Sequence, residues 1–385
     1  MQIVQTILTA ADVATFSAGA GRAPQLLLAF AAPAFFSDDA LAVRLRAAYP
    51  EAVLAGCSTA GEIADNLVHD ERCVLTALHF DHTEVRAAST RLASMADSAA
   101  AGSALAAQLP TAGLAAVLLF GVGVAINGSA LVAAFEHALP AGVAVSGGLA
   151  ADGGAFVRTW TLGPAGRADD QVVAIGLYGE HVAISHGSFG GWQPFGPSRK
   201  ITRAVDNVLY ELDGERALDI YKLYLGSYAA DLPASGLLFP FELQDDAQQG
   251  GGVIRTILGI DEEAGSLILA GNVPVDGDVR LMHSDTEKLI DGAETAARRA
   301  LPASAPEGDA LAILVSCIGR RLVMGDRIDE EVEAVGAILG AGTVLTGFYS
   351  NGEMAPPRPG APCLLHNQTM TITVLSESTA GTAAP

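Results

Sequence analysis

Lysine is almost missing from this chain, with only Lys200, Lys222 and Lys288 among 385 residues. Counting arginine brings the basic residues to 22 against 43 acidic ones, a formal charge of −21. That balance removes the attraction that nucleic acid or an anionic lipid surface requires of a partner. Cysteine is nearly as scarce. Cys57, Cys73, Cys317 and Cys363 show neither C-x-x-C spacing nor a C-x-x-C-H haem-attachment sequence; in a chain this long a disulfide framework is not expected, and reduced cytoplasmic thiols are. No Walker loop, zinc spacing or EF-hand is present, and Gly121-Val122-Gly123 lacks the third glycine of a dinucleotide fingerprint. The first residues carry no basic region ahead of an apolar core, so no secretory signal is expected. Between Asp97 and Glu136 no residue is formally charged, yet Pro110, Gly121, Gly123 and Asn127-Gly128-Ser129 divide that run into a strand, a turn and a helix start. A membrane span is therefore not expected, and the chain reads as soluble.

What is present is apolar and glycine-rich: 50% hydrophobic residues and 43 glycines, with aromatics at 6%. This describes a well-buried α/β protein, and the length favours two domains. Two stretches share one pattern. Ala55-Gly56-Cys57-Ser58-Thr59-Ala60-Gly61-Glu62 near the start and Thr346-Gly347-Phe348-Tyr349-Ser350-Asn351-Gly352-Glu353 near the end each run from an apolar strand into a glycine turn carrying one acid. A third turn, Ser146 to Gly154, keeps the small residues and loses the Gly-Glu pair.

Around these turns a strand–helix–strand module recurs. Gln25–Phe30, a helix from Ala40 to Tyr49 and Val53–Ala55 form one copy; Ala116–Phe120, a helix from Ala130 to Leu139 and Val143–Val145 form the next. The last has Leu311–Ser316, a helix from Asp329 to Leu339 and Thr343–Leu345. Such units favour right-handed crossovers, and returning strands after each turn make the sheets mixed. The fold expected is α/β, with two domains of repeated strand–helix–strand modules and mixed sheets covered by helices. The division is expected at 1–197 and 198–385, with Gly187 to Pro197 as a loop or linker. Val205, Val208, Leu209 and Leu212 fall at helical spacing, as do Ala217 to Leu225 beyond Gly214. Leu237–Phe241 and Ser266–Ala270 read as strands, Thr286 to Ala300 as a helix, and the tail from Ser376 as frayed.

Taken in order, the first Gly-Glu turn, Gly187…Trp192-Gln193-Pro194-Phe195-Gly196, Asp213-Gly214-Glu215-Arg216-Ala217-Leu218-Asp219-Ile220-Tyr221, the second Gly-Glu turn and His366-Asn367-Gln368-Thr369-Met370-Thr371 resemble the FIST family (F-box and intracellular signal transduction proteins), through its N-terminal and C-terminal domains. The resemblance implies a non-enzymatic sensory protein that binds a small ligand and acts on a signalling partner such as a histidine kinase. A bacterial subgroup of the family is described as binding haem and sensing nitric oxide.

The residues themselves nominate a site at the domain junction. Glu62 and Glu353 offer carboxylates to a ligand's ammonium or hydroxyl group, with Tyr349 and Asn351 of the second turn as pocket wall. His366, heading a polar strand, suits a pocket wall or an axial metal ligand, and His186 has a flanking glycine that would let a planar cofactor approach. His79 and His82 read as structural. Cys57 and Ser58, on a strand-to-loop turn, read as ligand-binding residues of the same wall, with the nucleophile of a hydrolase as the alternative. The turn is G-x-S-x-x-G and not the G-x-S-x-G elbow, and the two copies differ on where serine stands. A scaffold without a ligand is the third class.

Overall fold

The computed structural model describes residues 1–19, 21–244, 252–303 and 308–378. Three of its sheets follow one plan. The first is built on the parallel pair Leu26–Ala31 and Val53–Ser58, continued by Cys73–His79 and Gln2–Leu8. The second has Leu114–Gly121 beside Ala144–Leu149, then Gln171–Tyr178 and Glu84–Arg91. The third has Ala310–Cys317 beside Thr343–Ser350, then Met370–Glu377 and Val182–Phe189. Helices Ala40–Ala48, Gly128–Ala138 and Asp329–Leu339 connect the parallel pairs, as the periodicity predicts. Asp38 Oδ1 accepts from Ala40 N–H at the start of the first and Asn127 Oδ1 from Ala130 N–H in the second, answering donors that a helix start leaves free.

Each sheet is then completed by a hairpin from a different module. Glu62–Ala64 with Leu67–His69 leaves the first module and pairs with Thr343–Ser350. Thr161–Gly163 with Gly166–Ala168 leaves the second and pairs with Val53–Ser58. Gly352–Ala355 with Leu364–His366 leaves the third and pairs with Ala144–Leu149. The exchange closes a cycle around one apolar core, where Phe30, Phe120, Val315, Phe348, Ile175 and Leu311 meet from all three sheets. Helices cover the outer faces. Leu26–Ala31, Leu114–Gly121 and Ala310–Cys317, buried along nearly their whole length, are near-continuous apolar runs for that reason.

The third module is interrupted. Between Val182–Phe189 and the helix Thr286–Ala300 the chain builds an eight-stranded sheet with its own core of Ile201, Leu209, Tyr221, Phe241, Leu267 and Val279. The molecule is thus mixed α/β throughout. Strands Val182–Phe189 and Met370–Glu377 pair with each other across residue 197.

Four sequence expectations are corrected. Val205 to Leu212 is a β-hairpin, with Val205 opposite Val208 and Asp206 at φ 50° in the turn. A two-residue turn between alternating strands reproduces an i, i+3, i+4 spacing without any helix. Gly187 to Pro197 is largely strand, split between Val182–Phe189 and Gln193–Val205. Leu237 ends a 3₁₀ turn, and the strand that follows is Phe241–Gln244. The last strand runs to Glu377, whose carboxylate accepts from the Asp81, His82 and Thr83 N–H groups, so ordered structure extends past Ser376; residues 379–385 lie outside the described chain.

Gly56, Gly147 and Gly347 stand at equivalent positions, with φ of 150°, 149° and 154°. A Cβ at each would lie 1.9 Å from the carbonyl oxygen of Ala29, Leu119 or Leu314 on the neighbouring parallel strand. Only glycine tolerates both the torsion and the approach. Gly347→Ala is expected to cost about 2–4 kcal/mol of unfolding free energy in chemical denaturation. Gly342→Ala, where added bulk meets nothing within 4 Å, should change it by less than ~0.5 kcal/mol. Equal effects would contradict the packing described.

Candidate functional site

The three turns meet at one end of the three-sheet body. Ala60 N–H donates to Tyr349 C=O at 2.9 Å, Asn351 N–H to Leu149 C=O at 3.3 Å, and Ala151 N–H to Ser58 C=O at 2.8 Å. Register makes Ala60, Ala151 and Asn351 equivalent, so the bonds form a closed ring from turn to turn. The two Gly-Glu turns are therefore brought together as the sequence predicts.

What surrounds their acids is protein. Glu62 is 1% exposed; Thr59 Oγ1 donates to one carboxylate oxygen, and Arg72 N–H to the other at 3.1 Å. Glu353 is 0% exposed and repeats the arrangement. Ser350 Oγ donates to one oxygen at 2.7 Å, while Thr369 N–H and Oγ1 donate to the other at 3.1 and 2.9 Å. In the third copy Thr161 takes the acid's place and bonds the equivalent residue, its Oγ1 donating to Gln171 C=O at 3.1 Å. Each acid ties its hairpin to the start of a returning strand. Burial raises Glu62 to about 7 and Glu353 to about 8 against the opposing pull of these hydrogen bonds.

The other nominated residues are equally enclosed. Cys57 is fully buried in the central apolar core, and burial pushes its thiol up. Ser58 Oγ donates to Ala151 C=O at 2.7 Å and accepts from Trp160 N–H at 2.9 Å. Neither has the exposed, base-activated setting a nucleophile needs, which corrects the hydrolase alternative. Tyr349 OH donates to Glu331 at 2.5 Å inside a buried network with Ser316 and Arg320 and does not line an open wall. Asn351 Nδ2 donates to Gly123 C=O at 3.3 Å, and its Oδ1 is buried without a partner.

His366 stands opposite Glu353 in its hairpin, and its Nε2 is 2.9 Å from Ala355 C=O, which makes that nitrogen the protonated donor. Burial lowers its pKa to about 4, as it does for His186. His186 Nδ1 lies 3.2 Å from Thr373 Oγ1, and its Nε2 is buried without a partner. These residues do not fit haem as placed. His366 spends Nε2 on a carbonyl, and the space beside Gly187 is filled by the Ala296 carbonyl of helix Thr286–Ala300, within 1.9 Å of where a Cβ would be. Among the described residues no group of three or more His, Cys, Asp or Glu side chains is placed to hold a metal ion.

A cleft lies elsewhere, on the seam between the inserted sheet and the three-sheet body. Its volume is about 310 Å³. One wall is Ser129, Val132 and Ala133 of helix Gly128–Ala138 with Cys363, Leu364 and Leu365; the other is Leu243, Gln244, Val253, Arg255, Asn272 and Pro274. The strand ending in His366 borders it through Leu364 and Leu365, but neither His366 nor the Gly-Glu turns, which the sequence reading makes the pocket wall, are among these lining residues. Arg255 does not emerge from that reading. A lone arginine ending a short strand (Val253–Arg255) looks like a solvated edge, and its burial follows only from how the inserted sheet docks.

The FIST N domain family matches residues 25–215, and the FIST C domain family residues 217–356. No curated protein matches the chain significantly. One solved structure it resembles is a cyanuric acid hydrolase from A. caulinodans, at 9% identity and a TM-score of 0.34, over 98% of this chain and 100% of that one. Likeness that loose supports neither a fold assignment nor an activity.

The buried acids make stability depend on pH. Above the ordinary carboxyl range the unfolded chain releases both protons, while the folded one keeps them to about 7 at Glu62 and about 8 at Glu353. Raising pH therefore favours unfolding by ~1.4 kcal/mol per unit and per group until the folded pKa is passed. His186 and His366 act in the opposite sense, but only below the ordinary histidine value of 6.5. From pH 6.5 to 8 stability should thus fall by about 2 kcal/mol, and Glu353→Gln should remove most of that slope. A flat profile for the unsubstituted protein, measured by urea unfolding, would contradict the burial of these acids.

Proposed function

Because the chain belongs to the FIST family, whose domains are sensory ligand-binding units of signalling proteins, we propose that it is a non-enzymatic sensor holding a small molecule at the seam between its inserted sheet and its three-sheet body. One observation carries this reading. The cleft is walled by both bodies, and Arg255 crosses it, donating to Leu365 C=O at 3.1 Å on one side and to Ile254 C=O at 3.2 Å on its own. A guest that competes for Arg255 changes how firmly the two bodies hold each other, and a partner reads that difference. Among the described residues Asn127 Nδ2 to Asn272 Oδ1, at 2.9 Å, is another polar tie across the seam near the cleft.

The partner we propose is a signalling protein such as a histidine kinase. A cytoplasmic setting is supported by four free, buried cysteines. No helix among the described residues is long and apolar enough to cross a membrane. The narrower reading, haem as the ligand and nitric oxide as the signal, requires His366 to leave Ala355 or His186 to gain an open face; the absence of a Soret band after haem reconstitution would remove it.

Native mass spectrometry of the purified protein, paired with hydrogen exchange, tests the sensor reading. A retained small molecule should protect the amides of residues 253–273 and 363–368, and its removal should expose them. Ligand loss with unchanged exchange across the seam would overturn the proposal.

A further inference from the structure

Arg255 is 7% exposed, yet every hydrogen-bond partner it has among the described residues is neutral. Besides Ile254 and Leu365 these are Asn272 C=O and Ser129 Oγ, both at 3.4 Å and so at the long limit of useful bonds. The other buried arginine shows the contrast: Arg320, 0% exposed, is paired with Glu331 at 2.6 Å. A desolvated guanidinium without a counter-charge is costly in a folded protein. Burial lowers its pKa to about 10, which still leaves it fully charged near neutrality.

The cleft around it is built for the missing charge. None of its described lining residues is acidic, although the chain carries 43 acids to 22 bases. Its nearest described acid on the same helix, Glu136, accepts from Cys363 N–H at 2.6 Å and does not reach Arg255. The lining includes Ser129 in the first turn of the 11-residue helix Gly128–Ala138, the positive end of that helix. Gly271 keeps the guanidinium in place by being small, since a Cβ there would lie 2.8 Å from both Arg255 Nε and Ser129 Oγ. Apart from Gln244 and Asn272, the rest of the described wall is apolar, chiefly Val132, Leu243, Val253, Leu364 and Leu365.

We propose that the ligand of this cleft is a small organic monocarboxylate, its anion received by Arg255 with Ser129 and Asn272 beside it, and its hydrocarbon body lying on the apolar wall. One planar guanidinium with neutral donors matches the charge and the fork geometry of a carboxylate; a phosphate dianion would call for a second cation. Pockets of this size take an apolar body and orient it by a few polar groups. The inference rests on the sensor reading for its purpose and names the chemical class that site accepts.

Calorimetric titration of the full chain with straight-chain carboxylates from acetate to octanoate, and with hexanamide as the uncharged isostere of hexanoate, tests it. Hexanoate should bind at least about tenfold more tightly than hexanamide. Ala133→Trp, at an exposed helix position on the cleft, should weaken hexanoate at least about tenfold, and Arg255→Gln should erase the preference for charge. Should Arg255→Gln fail to fold, the comparison of hexanoate with hexanamide in the unsubstituted protein decides the matter. Equal binding of the two, hexanoate binding untouched by Ala133→Trp, or no saturable binding by any of the carboxylates would overturn the inference. A neutral molecule displaced by Ala133→Trp would sink the anion and leave the sensor standing. Hexanoate bound without any change in exchange across the seam would do the reverse.

Discussion

Three backbone hydrogen bonds, from Ala60 to Tyr349, Asn351 to Leu149 and Ala151 to Ser58, close the turns of this molecule into a ring, and the architecture follows from that closure. Each turn sends its hairpin into the sheet of another module, so no module completes its own sheet. Cooperation is built in at the level of strand pairing, as in repeat proteins whose units cannot bury their faces alone. The glycines at 56, 147 and 347 are the local condition for it, because a side chain there would strike the neighbouring strand.

The buried acids belong to the same device. Glu62 and Glu353 each accept from a hydroxyl three residues earlier and from the backbone N–H that begins a returning strand, and Thr161 performs a reduced version of the task. That the acid recurs at the same place is thereby accounted for by structure, with no ligand needed. Burial raises both carboxyls towards neutrality, so these latches hold best when protonated. The ion pair of Arg320 and Glu331 is a different solution. There a charge is buried together with its partner and with Tyr349 and Ser316, joining the helices of the third module to its sheet.

Much of this was legible in the sequence, and the rest was hidden for identifiable reasons. Helix Thr286–Ala300 announces itself through Asp285, its cap, and through an apolar stripe, and the Gly-Glu turns through glycine that nothing else can replace. Hairpin exchange leaves no local trace, because Glu62 pairs opposite Phe348 across nearly the whole chain. The acids were legible as a pair but not as closed, since Arg72 acts through its backbone N–H and Thr369, which uses both its N–H and its Oγ1, is brought to Glu353 only by the returning strand. Val205 to Leu212 misled because a tight hairpin and a helix share a spacing over so short a stretch. Arg255 was invisible for the opposite reason: its chemistry depends wholly on what docks against it, and docking is a property of the fold and not of the strand.

The molecule divides labour between two places, a sealed ring that holds the body together and a seam where Arg255, with only neutral hydrogen-bond partners among the described residues, is proposed to receive an anion. Carbon-13 NMR of the glutamate carboxyls, with Glu62→Gln and Glu353→Gln supplying the assignments, reads that division directly. The account predicts carboxyl titrations near 7 and near 8 at these two positions, with neither resonance shifting when hexanoate is added. Titration of both in the ordinary carboxylate range, or a shift of either on adding the carboxylate, would contradict it.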